Sequence, residues 1–92
     1  MIGKYVVIRT YSAGVHIGVL KAHDGSLATL TDARRIWSWN KANTLHEVAN
    51  HGVGDGSRVS EPVTEIVVNG VIEVIATTTE GETALRGAKW TR

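Results

Sequence analysis

Within seven residues, Ala33-Arg34-Arg35-Ile36-Trp37-Ser38-Trp39 carries two guanidiniums and two indoles. As a strand, the segment turns Arg35, Trp37 and Trp39 to one face and Arg34, Ile36 and Ser38 to the other. Flat rings beside a planar cation suit a ligand that has a base to stack and a phosphate to grip. Such a face also suits packing, because each indole buries roughly 200 Å² and the chain contains no Phe to do so. On that plainer reading Trp37, Trp39 and Trp90 belong to the core and Arg34 is a solvated charge. Arg35, if buried, then needs a neighbouring anion, either a Glu or a phosphate.

A second polar stretch precedes it. Tyr11-Ser12-Ala13-Gly14 has turn chemistry and exposes a phenol, a hydroxyl and backbone N–H groups, with Arg9 on one side and His16 on the other. The candidate ligand-binding residues are therefore Arg9, Tyr11, Ser12, Gly14, His16, Arg34, Arg35, Trp37 and Trp39. The four histidines do not make a metal site. His46 and His51 are five apart on an expected helix, and His16 and His23 fall on opposite faces of a strand. No metal and no cofactor is expected. His16 beside the arginines is a candidate general base for a metal-free phosphodiesterase, although no second acid or nucleophile accompanies it.

The elements that must position these residues follow from pattern. Lys4 to Thr10 is a β-branched and aromatic run, apolar on both faces. Gly14 allows a turn into a second strand, Val15 to His23, and Asp24-Gly25 turns into a third, Ser26 to Thr31. Asp32 begins another turn, after which the Arg and Trp segment is a fourth strand of an antiparallel meander. Thr44-Leu45-His46-Glu47 has capping-box spacing and Gly52 is a stop, so a short amphipathic helix covers Thr44 to His51. The loop from Gly52 to Ser57 lacks the strand-to-helix setting of a dinucleotide fingerprint. Pro62 limits Arg58 to Glu61 to an edge strand. Glu65 to Val68 and Val71 to Ala76 flank Asn69-Gly70 as a hairpin, with one bulged strand as the alternative. Thr79 caps a weak helix from Glu80 to about Arg86, made marginal by Gly81 and Gly87. The expected fold is a single α+β domain over residues 1–92. It is a small, mainly antiparallel sheet, part meander and part barrel, with one short helix packed on it and a second helix near the C-terminus.

Composition limits the function classes. Ten Lys and Arg against nine Asp and Glu leave a formal charge of +1, without the basic surplus of a general nucleic-acid binder. The absence of Cys removes disulfides and thiolate metal sites and fits a reducing, cytoplasmic setting. No apolar run approaches the roughly 18 residues of a membrane span, and the first residues are strand-like instead of a signal peptide. A chain of this size buries only roughly 60 to 65% of its unfolded surface, so a homo-oligomer is expected.

The strings Arg-Thr-Tyr-Ser-Ala-Gly-Val-His-x-Gly (9–18), Ala-Arg-Arg-Ile-Trp-x-Trp (33–39) and x-x-Ala-x-Thr-Leu-x-x-Val-Ala (40–49) resemble a family of small bacteriophage proteins. The resemblance covers roughly residues 5 to 52. It departs from the family pattern at Ser38, where an aromatic is usual, and at Lys41, where Gly is usual. Small phage proteins of this kind include anti-defence sponges, which sequester nucleotide signals such as cyclic ADP-ribose isomers of Thoeris-type immunity, or cyclic dinucleotides. The resemblance thus implies a binding protein, not an enzyme, acting on a small nucleotide signal in the cytoplasm of an infected bacterium. A phosphodiesterase and a phage structural or protein-interaction module are the alternatives.

Overall fold

The computed structural model describes residues 1–39 and 42–90, so Lys41, one of the two departures noted above, lies outside the described residues. The elements are β1 (Tyr5–Thr10), β2 (Val15–Asp24), β3 (Leu27–Ser38), α1 (Leu45–His51), β4 (Arg58–Val59), β5 (Val63–Val68), β6 (Val71–Ala76) and α2 (Thr79–Gly87). The six strands form one antiparallel sheet in the order β4-β3-β2-β1-β6, with β5 also on β3. The α+β class expected from the sequence is the fold, and the short strand after Ser57 lies at an edge.

Two strand assignments differ from expectation. Asp32 does not start a turn: it sits inside a single twelve-residue β3 with φ of 51°, as an extra residue that shifts the register against β2 between the pairs Ile17–Arg34 and Val19–Thr31. A short polar residue tolerates this left-handed geometry, and the strand bends around it without ending. Nor is Asn69-Gly70 a hairpin. Among the described residues β5 pairs with β3 and β6 with β1, so the two-residue link carries the chain from one side of the sheet to the other. Two residues span at most about 10 Å, so the sheet must curl to bring its edges together. The corner is pinned from both hairpin tips: the Tyr11 N–H donates to Gly70 O at 2.8 Å and the Val71 N–H to Ser26 O at 3.0 Å.

Curling gives the sheet a concave and a convex face, each with its own core. In β1, Val6 and Ile8 point to the concave side with Leu20, Ala28, Leu30, Ala33 and Val68, whereas Tyr5 and Val7 point to the convex side with Val15, Ile17 and Ile36. The helices cover the convex side through Val48 and Ala49 of α1 and Leu85 of α2. Helix α1 has its expected cap, with the Glu47 N–H donating to Thr44 Oγ1 at 3.3 Å. The cap of α2 is Thr78, one residue earlier than the spacing suggested, and its hydroxyl accepts from the Gly81 N–H at 2.9 Å.

Gly81 marks the close approach of the two helices rather than a weak point. A methyl group there would overlap the Ala49 carbonyl, which also accepts from the Thr78 N–H at 3.1 Å. At Gly87 an added methyl meets nothing. Urea denaturation should therefore show Gly81→Ala destabilised by about 1 to 3 kcal/mol, while Gly87→Ala is unchanged or gains up to about 1 kcal/mol.

Candidate ligand-binding site

The bulge at Asp32 decides which way the Arg and Trp side chains point. Leu30 and Ala33 both face the concave core although they are three residues apart, so the usual alternation is reset between them. From there Arg34 and Ile36 face the helices, and Arg35 and Trp37 face the concave side. Arg34 is consequently not the solvated charge expected from its sequence neighbourhood. It is only 4% exposed and donates from Nε to Ser60 O at 2.8 Å, from Nη1 to Leu85 O at 2.7 Å and Arg86 O at 3.3 Å, and from Nη2 to Ala88 O at 2.7 Å. Three of these acceptors are carbonyls at the end of α2, where the helix dipole favours a cation. Arg34 is a clasp between β3, the β4 segment and α2, and its guanidinium donors are spent on backbone carbonyls. Beneath it lies Tyr5, whose phenol burial pushes up to about 12 against the opposing charges of Arg86 and Arg34. Arg86 stacks over that ring at 4.6 Å and pairs with Asp32 at 2.7 Å and Glu82 at 2.8 Å.

Arg35 and Trp37 stand at the mouth of the curled sheet, around a cavity of about 480 Å³. Its walls include His16, Ala33, Arg34, Ser60, Val63 and Ile66, and among the described residues none that lines it is acidic. Trp37 is 51% exposed, and among the described residues the Arg35 guanidinium has no carboxylate within ion-pair distance. His16 is the direct cross-strand partner of Arg35 and is buried, with Nε2 2.8 Å from Ala13 O. A carbonyl only accepts, so Nε2 carries the hydrogen and the neutral ring keeps its lone pair on Nδ1. Burial moves His16 below its ordinary value; the Ala13 hydrogen bond opposes this and the Arg35 charge adds to it. Folding therefore gains stability from a neutral His16 above about pH 6.5 and loses it on acidification below that, where the unfolded chain binds the proton first. Gly18 makes the geometry possible, since a Cβ there would stand 2.9 Å from Thr31 O and 3.1 Å from the Ala33 Cα.

The other expected site residues are elsewhere. Trp39 follows a register shift between Ile36 and Ser38 and packs, half-buried, on the convex core instead of sharing a face with Trp37. Arg9 is engaged by Glu73 across β1 and β6 at 2.8 Å. Tyr11, Ser12 and Gly14 are exposed at the β1–β2 tip and do not line the cavity; the tip reaches it through the Ala13 carbonyl that holds His16. Trp90, the indole expected to pack, is 43% exposed and so more than half covered. Ser60, Val63 and Ile66 were not foreseen. Ser60 bonds Arg35 on both backbone sides, its N–H donating to Arg35 O and its Oγ accepting from the Arg35 N–H, both at 2.8 Å. Pro62, which limits the strand before it, is the nearest local signal for this segment.

A family model described as a domain of unknown function (DUF6948) matches residues 3–85. The chain belongs to that family. No curated protein matches it. The DUF6948 match runs from before β1 to Leu85 and so takes in all six strands, the cavity wall and the first of the α2 carbonyls that Arg34 holds.

Removing each arginine separates clasp from cavity. Arg34→Met strands the buried Leu85 carbonyl and three part-buried ones and should lower the unfolding free energy by at least about 2 kcal/mol. Arg35→Met, at an exposed position, should stay within about 0.5 kcal/mol of the parent by urea denaturation.

Proposed function

We propose that this DUF6948 protein binds a small nucleotide-type signal in the cavity at the sheet mouth and holds it without converting it, as an anti-defence protein of a bacteriophage. The supporting observation is the pairing of the Arg35 guanidinium, which has no carboxylate partner among the described residues, with a half-exposed indole, Trp37, on the wall of one cavity. Such a wall suits a phosphate on the cation and a base on the ring. Among the described residues no carboxylate lines the site, so none there opposes the ligand's charge. The resemblance of the Arg-Thr-Tyr-Ser-Ala-Gly-Val-His and Ala-Arg-Arg-Ile-Trp motifs to small phage proteins supports the biological setting, the cytoplasm of the infected cell. Binding is favoured over phosphodiester cleavage by the state of the polar groups. Ser60 Oγ already donates to Glu61 O at 3.0 Å and accepts from the Arg35 N–H, so it is not a free nucleophile.

The cavity is open on one side, and Val63 of β5 (47% exposed) adds an apolar side chain to the wall that holds Trp37. A homo-oligomer in which a second copy covers this mouth belongs to the same proposal, because an enclosed ligand loses less affinity to solvent. No helix among the described residues is long and apolar enough to cross a membrane.

Thermal shift with a panel of cyclic ADP-ribose isomers, ADP-ribose and cyclic dinucleotides tests the reading, together with analysis of ligand released by heating and light scattering of the complex. At a thousandfold excess over Kd the bound form should gain about 4 kcal/mol, the released ligand should be intact, and Arg35→Ala and Trp37→Ala should each abolish the shift. A chemically altered ligand would move the assignment to an enzyme, and the absence of any shift would reject it.

A further inference from the structure

The cavity has a second basic group, His16, beside Arg35. His16 and Arg35 face each other directly across β2 and β3, and both line the cavity. With Nε2–H donated to the Ala13 carbonyl, the ring can take another proton only on Nδ1. Among the described residues, none that lines the cavity with it carries a negative charge. Opposite it on β1 is Ile8; β5 contributes Val63 and Ile66, and the segment after β4 contributes Ser60. On β3 the charged neighbours are cations, Arg35 beside it and Arg34 turned to the helix side. The nearby carboxylates of β5 and β6 are already paired, Glu65 with Lys21 and Glu73 with Arg9.

An oxyanion drawn to Arg35 changes this balance, since it brings a negative charge next to an imidazole whose cross-strand neighbour is a guanidinium. Resting on the binding role proposed above, we propose that Arg35 and His16 form one oxyanion subsite that takes up a proton on His16 Nδ1 as a phosphoryl-type group binds. The subsite then presents two cations to the anion, while the free protein presents one. It follows that affinity for an anionic ligand rises on acidification. Between the pH at which the free protein protonates His16 and the higher pH at which the complex does, binding consumes a proton.

Sulfate is a suitable probe because it stays a dianion throughout the range. The ring signals of His16 in the full chain are followed by NMR from pH 8 to pH 5, with sulfate and with chloride at equal ionic strength. The expected result is a His16 midpoint at least about half a unit higher in sulfate, with sulfate affinity more than about threefold greater at pH 5.5 than at pH 7.5. Arg35→Met should abolish both effects, and its exposed position leaves the fold in place for the comparison. A midpoint that is unchanged or lowered by sulfate overturns the proposal, as does an equal movement of the exposed His23 ring, which would reflect screening. If the nucleotide panel binds while the His16 midpoint stays fixed, the subsite falls and the binding role stands. If neither sulfate nor any nucleotide binds, both fall.

Discussion

A guanidinium removed from water and met by carbonyl oxygens in place of a carboxylate is the interaction on which this small domain depends. Burying Arg34 is expensive unless its donors are satisfied, and here they reach Ser60, Leu85, Arg86 and Ala88. Burial pushes its pKa below the usual guanidinium value, with Tyr5 and Asp32 acting in the opposite sense, yet an arginine has a long way to fall before it loses its proton. The charge also sits where the dipole of α2 is negative, so the helix end and the cation stabilise each other. One side chain thereby fastens the last helix and the β4 segment to the longest strand.

The clasp also fixes the site. With Arg34 committed to the convex side, β3 cannot slip by one residue without exposing that charge's partners and burying Arg35. Arg35 and Trp37 are left at the concave mouth, beside His16. The curl that shapes the mouth comes from two register shifts in the β2–β3 pairing, from Gly18, and from the Asn69-Gly70 corner held by Tyr11 and Ser26. Scaffold and candidate site are thus neighbouring residues of one strand on opposite faces, and the two roles are separable by mutation because Ser60 is held by the Arg34 side chain but by the Arg35 backbone, which a side-chain change at Arg35 leaves in place.

Much of this architecture was legible in the residues. β-Branched runs punctuated by Gly14 and Asp24-Gly25 marked the meander, and Thr44 with Glu47 marked α1, because these signals are local. Asp32 was less legible: an aspartate between two strand-like runs looks like a turn, and only its pairing with β2 makes it a bulge. That one misreading carries over to Arg34, whose burial depends on the bulge and on a helix some fifty residues away, which no local pattern reports. Alternation correctly grouped Arg35 with Trp37 and failed at Trp39, where the register shifts again. Asn69-Gly70 has hairpin chemistry and serves a corner instead, since Gly70 with φ of 77° satisfies either. Arg9 has the sequence setting of a ligand contact, yet its strand neighbour Glu73 provides its counter-charge, a pairing visible only in the β1–β6 register.

The most direct measurement is the emission of Trp37 alone. In a Trp39→Phe, Trp90→Phe variant the remaining indole reports on the cavity wall, and titration with ADP-ribose and cyclic ADP-ribose isomers reads whether a base comes to rest on it. A saturable change in emission with at least one of these nucleotides, lost when Arg35→Met is added, is the predicted result. Unchanged Trp37 emission while calorimetry shows the same nucleotide bound would place the ligand elsewhere and contradict the account.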